Sequence, residues 1–138
     1  MIRTARNMFA TTLLEPEPEL NLAQNYGDFL DSYDHIAIMA MPRFEGYDDH
    51  GRFYRNLVAL AAARPEYRNK VIFELQTVDW RTETPIDSGE LRDTMRMLQS
   101  LGIRNLAYYP DNFIDGQPAL EELKQGISLA DFPLGASR

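Results

Sequence analysis

The chain has 138 residues, of which 44% are hydrophobic and 25% charged, and this predicts a single globular unit with one modest core. Its 14 basic and 21 acidic residues give a formal net charge of -7, which opposes attraction to phosphate backbones and argues against nucleic acid as a partner. Because cysteine is absent, disulfides, thiolate metal sites and a cysteine nucleophile are excluded. The N-terminal residues resemble neither a signal peptide nor a membrane span.

Four short apolar segments alternate with four amphipathic segments along the chain. The apolar segments predict buried strands at residues 7–14, 35–41, 70–76 and 105–109. The amphipathic segments have apolar residues at helical spacing, and they predict helices at residues 20–32, 53–63, 89–100 and 118–125. Polar loops connect these elements, including a long one at residues 77–85.

This alternation is typical of successive βαβ units, so we predict an α/β fold with a parallel sheet. An open doubly wound sheet and part of a (β/α)8 barrel both satisfy the pattern. No glycine-rich phosphate turn follows any predicted strand, which removes support for nucleotide binding. A complete barrel needs about 250 residues, so four strands would make roughly half of one.

In parallel α/β folds, the loops at the carboxyl ends of the strands build the functional site. Among the residues at these ends, Glu74 is the most informative because it stands inside an apolar strand, where an uncompensated carboxylate is costly. Strand alternation places Glu74 and Gln76 on one face, opposite Phe73 and Leu75. Two interpretations of Glu74 stay open: a catalytic or ligand-binding carboxylate, and a structural ion pair with a lysine or arginine.

Other polar and aromatic residues fall at the same strand ends. We select Glu45, Trp80, Tyr109, Asp111 and Asn112 as candidate ligand-binding residues. Sugars require this combination, because their C–H faces stack on aromatic rings while their hydroxyl groups bond to carboxylates and amides. The alternative interpretation of residues 108–113 is a proline-terminated strand followed by an ordinary Asp/Asn turn.

The two histidines, His35 and His50, do not stand at metal-ligand spacing from each other or from a set of carboxylates. We therefore predict no metal and no cofactor in this chain. No serine or threonine stands in a pattern that indicates a nucleophile with a histidine base.

Three motifs carry a family resemblance, and they are IMAMP at residues 38–42, IFELQ at 72–76 and YYPDNF at 108–113. In order and spacing they resemble the C-terminal domain of the bacterial poly-β-1,6-N-acetyl-D-glucosamine N-deacetylase family called PgaB. The segments TARNMFA at residues 4–10 and AQNYGDFLDSYD at 23–34 extend the similarity. No single motif is strongly specific, but their ordered set is.

The resemblance implies that residues 1–138 form one partial domain, the last four strands of a glycoside-hydrolase-like (β/α)8 barrel. It implies that a deacetylase domain using a divalent metal precedes it in a parent protein of the periplasm or outer membrane, involved in biofilm polysaccharide export. The implied ligand is partly deacetylated poly-β-1,6-N-acetylglucosamine. Glu74 would then be a catalytic carboxylate, with Gln76, Trp80, Tyr109, Asp111, Asn112 and Glu45 binding the polymer.

Glycosidases generally need two carboxyl groups, and the resemblance places further acidic site residues before this chain. Three functional alternatives therefore remain open: a segment that binds and cleaves the polymer, a glycan-binding module that breaks no bond, and a small α/β scaffold domain. We expect the isolated segment to be inactive even where the parent protein is a hydrolase.

Overall fold

The structure is a computed structural model that describes residues 2–15 and 23–127. The strands in these ranges are β1 Ala5–Phe9, β2 His35–Ala40, β3 Val71–Gln76, β4 Val78–Asp79, β5 Thr84–Pro85 and β6 Leu106–Tyr109. The helices are α1 Thr11–Leu14, α2 Tyr26–Ser32, α3 Pro42–Glu45, α4 His50–Ala61, α5 Tyr67–Lys70, α6 Ser88–Ser100 and α7 Leu120–Ile127.

Four of the strands form one sheet in the order β1-β2-β3-β6, and all three neighbouring pairs are parallel. Helices separate these strands along the chain, because neighbouring parallel strands need a crossover connection. The prediction of an α/β fold with a parallel sheet is therefore confirmed. All four carboxyl ends lie at one edge, which brings the loops that follow the strands together.

The sheet has one helix-covered face and one face that we call the open face. Met8, Ile38 and Phe73 lie side by side in register on the covered face, and each is fully buried. On the open face, Met39 pairs with Glu74, and both side chains are only partly buried. Two-residue alternation along each strand separates these sets.

The two longest helices cover the sheet with regularly spaced apolar residues. On α4, Phe53, Leu57 and Ala61 are buried, and Asp49 begins the helix by accepting a hydrogen bond from the Arg52 N–H at 2.9 Å. On α6, the buried residues are Leu91, Met95 and Leu98, and the Asp87 side chain accepts from the Glu90 N–H at 3.0 Å. Both helices lie close to their predicted ranges.

The predicted first strand is wrong in its boundaries. Residues 7–14 divide into the end of β1 and the short helix α1, because Ala10 has helical backbone angles and its carbonyl accepts hydrogen bonds from the N–H groups of Leu13 and Leu14. The apolar and β-branched residues there satisfy either a strand or a buried turn of helix, so their pattern did not separate the two.

Two further boundaries differ from the prediction. The segment predicted as a helix over residues 20–32 is helical from Tyr26, after Asn25 accepts a hydrogen bond from the Asp28 N–H, while residues 20–22 lie outside the described residues. The last helix spans Leu120–Ile127, which is shifted by two residues toward the C-terminus relative to the predicted 118–125.

The loop predicted at residues 77–85 contains an antiparallel hairpin of β4 and β5. Each of its strands has two residues, too few for an alternating pattern to be visible in the sequence. Thr77 fixes the base of the hairpin: its N–H donates to the Tyr109 carbonyl at 3.0 Å, and its carbonyl accepts from the Ile86 N–H at 2.9 Å. The Thr77 hydroxyl also donates to the Pro110 carbonyl.

Candidate functional site

Glu74 lies in the middle of the open face, between Met39 of β2 and Ala107 of β6 in the sheet register. Its Oε2 atom accepts a hydrogen bond of 3.4 Å from Asn7 Nδ2, and no ion pair joins it to any lysine or arginine within the described ranges. Partial burial without a cationic neighbour raises the pKa of Glu74 above its usual range. The structural ion-pair interpretation therefore has no support in this part of the chain.

Four aromatic side chains form a continuous series along the carboxyl edge of the sheet, which we call the aromatic row. Phe9 stacks on Phe44 at 6.1 Å between ring centroids, Phe44 meets Trp80 edge-on at 5.5 Å, and Trp80 lies 6.3 Å from Tyr109. Trp80 is 37% exposed and Tyr109 57% exposed, so the row presents ring surface to solvent. The planes of neighbouring rings are inclined by 14°, 87° and 47° along the row, so the exposed rings offer apolar surface in more than one orientation.

The row brings together two predicted residues and two that sequence reasoning did not select as binding residues. Trp80 and Tyr109 were predicted, whereas Phe9 and Phe44 become neighbours only because β1 lies beside β2. Phe9 is the last residue of β1, and that position would have identified it had the predicted strand not extended to residue 14. The predicted aromatic candidates therefore formed half of the row.

Gln76 shares the open face with Glu74 but is only 5% exposed. Its Nε2 atom donates to the Val78 carbonyl at 2.7 Å, while its Oε1 atom is buried without a hydrogen-bond partner among the described residues. The side chain thus binds the start of the hairpin that carries Trp80. Its predicted role in contacting a ligand stays a prediction.

Glu45 ends α3, beside Phe44, and its carboxylate points to the start of α1. Oε1 accepts a hydrogen bond of 3.3 Å from the Thr11 N–H, and Oε2 is buried without a partner in the described part of the chain. Burial raises the pKa of Glu45 to about 7, against the opposing effect of the backbone N–H groups of Thr11 and Ala10. Glu45 therefore ties two strand-exit turns together, and its predicted contact with a ligand stays a prediction.

Asp111 and Asn112 lie in the exposed loop that follows β6 and the cis peptide bond between Tyr109 and Pro110. Asn112 is occupied within this loop: its backbone pairs with Gln117, and its Nδ2 atom donates to Asp115 Oδ2 at 2.6 Å. This geometry matches the turn interpretation of residues 108–113. Asp111 is exposed to solvent beside the end of the aromatic row.

An ionic network not predicted from the sequence joins three segments at the same edge. Arg43 of α3 donates from both terminal nitrogens to the two carboxylate oxygens of Glu90, at 2.8 and 3.0 Å. Its Nε atom also lies 3.9 Å from Asp79 Oδ2, at the end of β4. Arg43 and Asp79 follow their strands in sequence, but nothing in the sequence indicates that Glu90, on the first turn of α6, reaches them.

Two other kinds of feature are absent from the described residues. No three histidine, cysteine, aspartate or glutamate side chains in these ranges gather closely enough to hold a metal ion. No helix in the same ranges is long and apolar enough to cross a membrane.

The loops at the carboxyl ends of parallel βα strands are where enzymes of this class carry their sites, and the aromatic row lies at that edge beside the open face that carries Glu74. Residues 1–109 match GHL13, described as hypothetical glycosyl hydrolase family 13. The chain belongs to this family.

Similar proteins extend well beyond the length of this chain. It is 40% identical over 137 residues to the poly-beta-1,6-N-acetyl-D-glucosamine N-deacetylases of Escherichia coli K12 and O157:H7, a match that covers 96% of this chain and 20% of each relative. The solved PgaB (BpsB) glycoside hydrolase domain from Bordetella bronchiseptica is 43% identical, with a TM-score of 0.87 over 93% of this chain and 36% of that one. The chain therefore spans about a fifth of the curated relatives, and the predicted family relationship is confirmed.

Proposed function

We propose that this chain supplies one side of the glycan-binding groove in a glycoside-hydrolase-like (β/α)8 barrel, within a longer protein that processes poly-β-1,6-N-acetylglucosamine. The name of the deacetylase relatives supports poly-β-1,6-N-acetylglucosamine as the ligand, and the similarity to the solved glycoside hydrolase domain supports the barrel fold. In this proposal the four-stranded sheet is completed by strands from another part of the parent protein, which enclose the open face.

The observation that carries the proposal is the position of Glu74, a partly buried carboxylate on the open face below a row of four aromatic rings. Sugar rings stack on the row while Glu74 accepts hydrogen bonds from hydroxyl groups or binds the ammonium group of a deacetylated unit. A raised pKa suits a carboxyl group that exchanges a proton with a glycosidic oxygen. Cleavage requires a second carboxyl group, which we assign to the strands outside this chain.

A second candidate function is retention of the polymer without cleavage. It is favoured by the open face itself, because Glu74 is the single carboxylate on the four described strands of the parallel sheet. In that case the same rings hold the glycan during export. We propose a periplasmic or outer-membrane-associated location for the parent protein, and assign metal-dependent deacetylation to a part outside this chain.

Ligand titration combined with product analysis tests these proposals. Trp80 is the only tryptophan of the chain, so its fluorescence reports directly on the aromatic row. We expect a partly deacetylated β-1,6-linked glucosamine hexamer to change this emission, while a matched glucose hexamer has little effect. An unchanged emission with every amino sugar oligomer would reject glycan binding and favour a scaffold domain.

Cleavage is assayed in a barrel chimera, in which this chain replaces the matching segment of the Bordetella bronchiseptica glycoside hydrolase domain. Shorter oligomers in the product mixture support a catalytic groove. Binding with unchanged oligomer length after long incubation supports the retention module instead.

A further inference from the structure

Arg43 links the aromatic row to helix α6. It precedes Phe44 on the short helix α3, and its guanidinium group donates two hydrogen bonds, of 2.8 and 3.0 Å, to the carboxylate of Glu90 on α6. Such paired bonds hold an arginine in one orientation, because the planar fork of donors matches the two carboxylate oxygens. The Arg43 side chain is 24% exposed, so solvent reaches it only in part.

The third contact of Arg43 reaches the residue directly before Trp80. Arg43 Nε lies 3.9 Å from Asp79 Oδ2, and the Asp79 side chain is only 14% exposed. The other oxygen, Oδ1, accepts a hydrogen bond of 3.0 Å from the Arg81 N–H. Arg43 therefore contacts Asp79 from outside the hairpin, while Asp79 itself stabilises the turn by accepting the bond from Arg81, the residue after Trp80.

The hairpin that carries Trp80 needs such an anchor. Its strands contribute two residues each, and a hairpin of this size has little stability of its own. Thr77 fixes its base through the Tyr109 carbonyl and the Ile86 N–H, but neither bond constrains the end at which Trp80 lies. Among the described residues, Arg43 supplies the ionic contact from the rest of the fold to that end.

We infer that Arg43 is a positioning residue that fixes Trp80 beside Phe44 and so sets the spacing at the centre of the aromatic row. Phe44 follows Arg43 in the chain, Asp79 precedes Trp80, and the two rings meet edge-on at 5.5 Å. Arg43 is thus the chain neighbour of one ring, and its guanidinium group contacts the chain neighbour of the other. The consequence for glycan affinity rests on the proposed function of the row, whereas the consequence for Trp80 does not.

The test compares Arg43→Met with Arg92→Met in the full chain at matched association state. Arg92 is a close control because it pairs with Asp93 at 2.8 Å and Glu122 at 2.7 Å, has a side chain 26% exposed, and joins α6 to α7 rather than to the row. Without ligand, Arg43→Met should shift Trp80 emission to longer wavelength and increase its quenching by acrylamide. Arg92→Met should lower Tm by a similar amount but leave the emission wavelength and the acrylamide quenching of Trp80 unchanged.

Two further variants test the role of Arg43 even if Arg43→Met folds poorly. Arg43→Lys retains the charge but cannot make the paired bonds to Glu90. Its Trp80 emission should therefore be shifted to longer wavelength, as in Arg43→Met. Asp79→Asn leaves the Arg43–Glu90 pair intact and should reproduce the emission shift. If Trp80 emission is unchanged in Asp79→Asn and Arg43→Lys, or changes equally in Arg92→Met, Arg43 has no positioning role.

The ligand measurement separates this inference from the proposed function. We expect Arg43→Met to raise the Kd of the partly deacetylated hexamer about tenfold, or ~1.4 kcal/mol, comparable to the loss of one ring contact. If the parent chain binds no hexamer, the proposed function fails while ligand-free Trp80 emission still decides the role of Arg43. If the parent binds and Arg43→Met binds equally well with shifted emission, the positioning does not extend to affinity and that part of the inference is overturned.

Discussion

Asn7 and Glu74 are joined across an intervening strand, with Asn7 Nδ2 at 3.4 Å from Glu74 Oε2. Their strands, β1 and β3, both pair with β2, so the two side chains reach toward each other over the open face. Ala37 is the β2 residue in register with Asn7, and its small side chain leaves room for this contact. Glu74 is therefore oriented by a neutral amide rather than neutralised by a cation, which preserves its capacity to bind a ligand or transfer a proton.

Replacing Glu74 with glutamine tests its chemical role in the barrel chimera. Glutamine keeps the size of the side chain but removes the charge and the exchangeable proton, so cleavage of partly deacetylated polymer should slow by about a hundredfold or more. Product release is measured by chromatography, with Glu121→Gln, an exposed position on α7, as the control. Product release at the parent rate would remove Glu74 from catalysis.

The two faces of β3 should respond differently to truncation. Phe73 is fully buried against the helices, so Phe73→Ala should lower the free energy of unfolding by ~3–5 kcal/mol, the usual cost of removing a core aromatic ring. Ile72→Ala, one residue away on the open face, should cost clearly less because its side chain is only partly buried. Chemical denaturation of both variants measures the difference, and equal losses would contradict the assignment of the faces.

Glu45 should make stability fall as pH rises. Because burial raises its pKa in the folded state from 4.5 to about 7, the folded state binds more protons between these values than the unfolded chain does. The contribution of Glu45 is therefore fully present below pH 4.5, is lost progressively as pH rises to 7, and stays lost above that. Glu45→Gln mimics the protonated form and should be more stable than the parent at pH 8, by ~1–3 kcal/mol.

Thermal melts at several pH values measure this effect as the Tm difference between Glu45→Gln and the parent. The difference should grow between pH 4.5 and 7 and then level off. Glu121→Gln, whose side chain is 79% exposed, should show no such trend. A Tm difference that is independent of pH would show that Glu45 is not protonated in the folded state near neutrality.

The 138-residue chain on its own should self-associate. Parallel sheets are normally covered on both faces, but the open face presents partly buried Met39 and Ile72 together with exposed Trp80 and Tyr109. Met39→Lys should weaken association, whereas Leu60→Lys, at an exposed position of α4, should not. Sedimentation velocity over a range of concentrations measures this, and a monomer at every concentration would argue that the sheet is stable with one face uncovered.

Much of the fold followed from the alternation of apolar segments. The strands at residues 35–41, 70–76 and 105–109 were predicted nearly as observed because each is a short apolar run with a clear stop, such as Pro42 or Pro110. Residues 7–14 were misassigned because a buried turn of helix and a buried strand have the same apolar pattern. The β4–β5 hairpin was missed because two residues a strand leave no periodic signal.

The sequence by itself determined the chemistry available at the strand ends, since strand alternation alone set Glu74 and Gln76 apart from Phe73 and Leu75. Only the tertiary structure decided which of these groups meet. Sheet order placed Asn7 near Glu74 and Phe9 near Phe44, and the fold brought Arg43 between Asp79 and Glu90. The physical reason is that periodicity reports on which face a side chain takes, whereas contacts between residues distant in sequence depend on the order of the strands in the sheet, which no local pattern encodes.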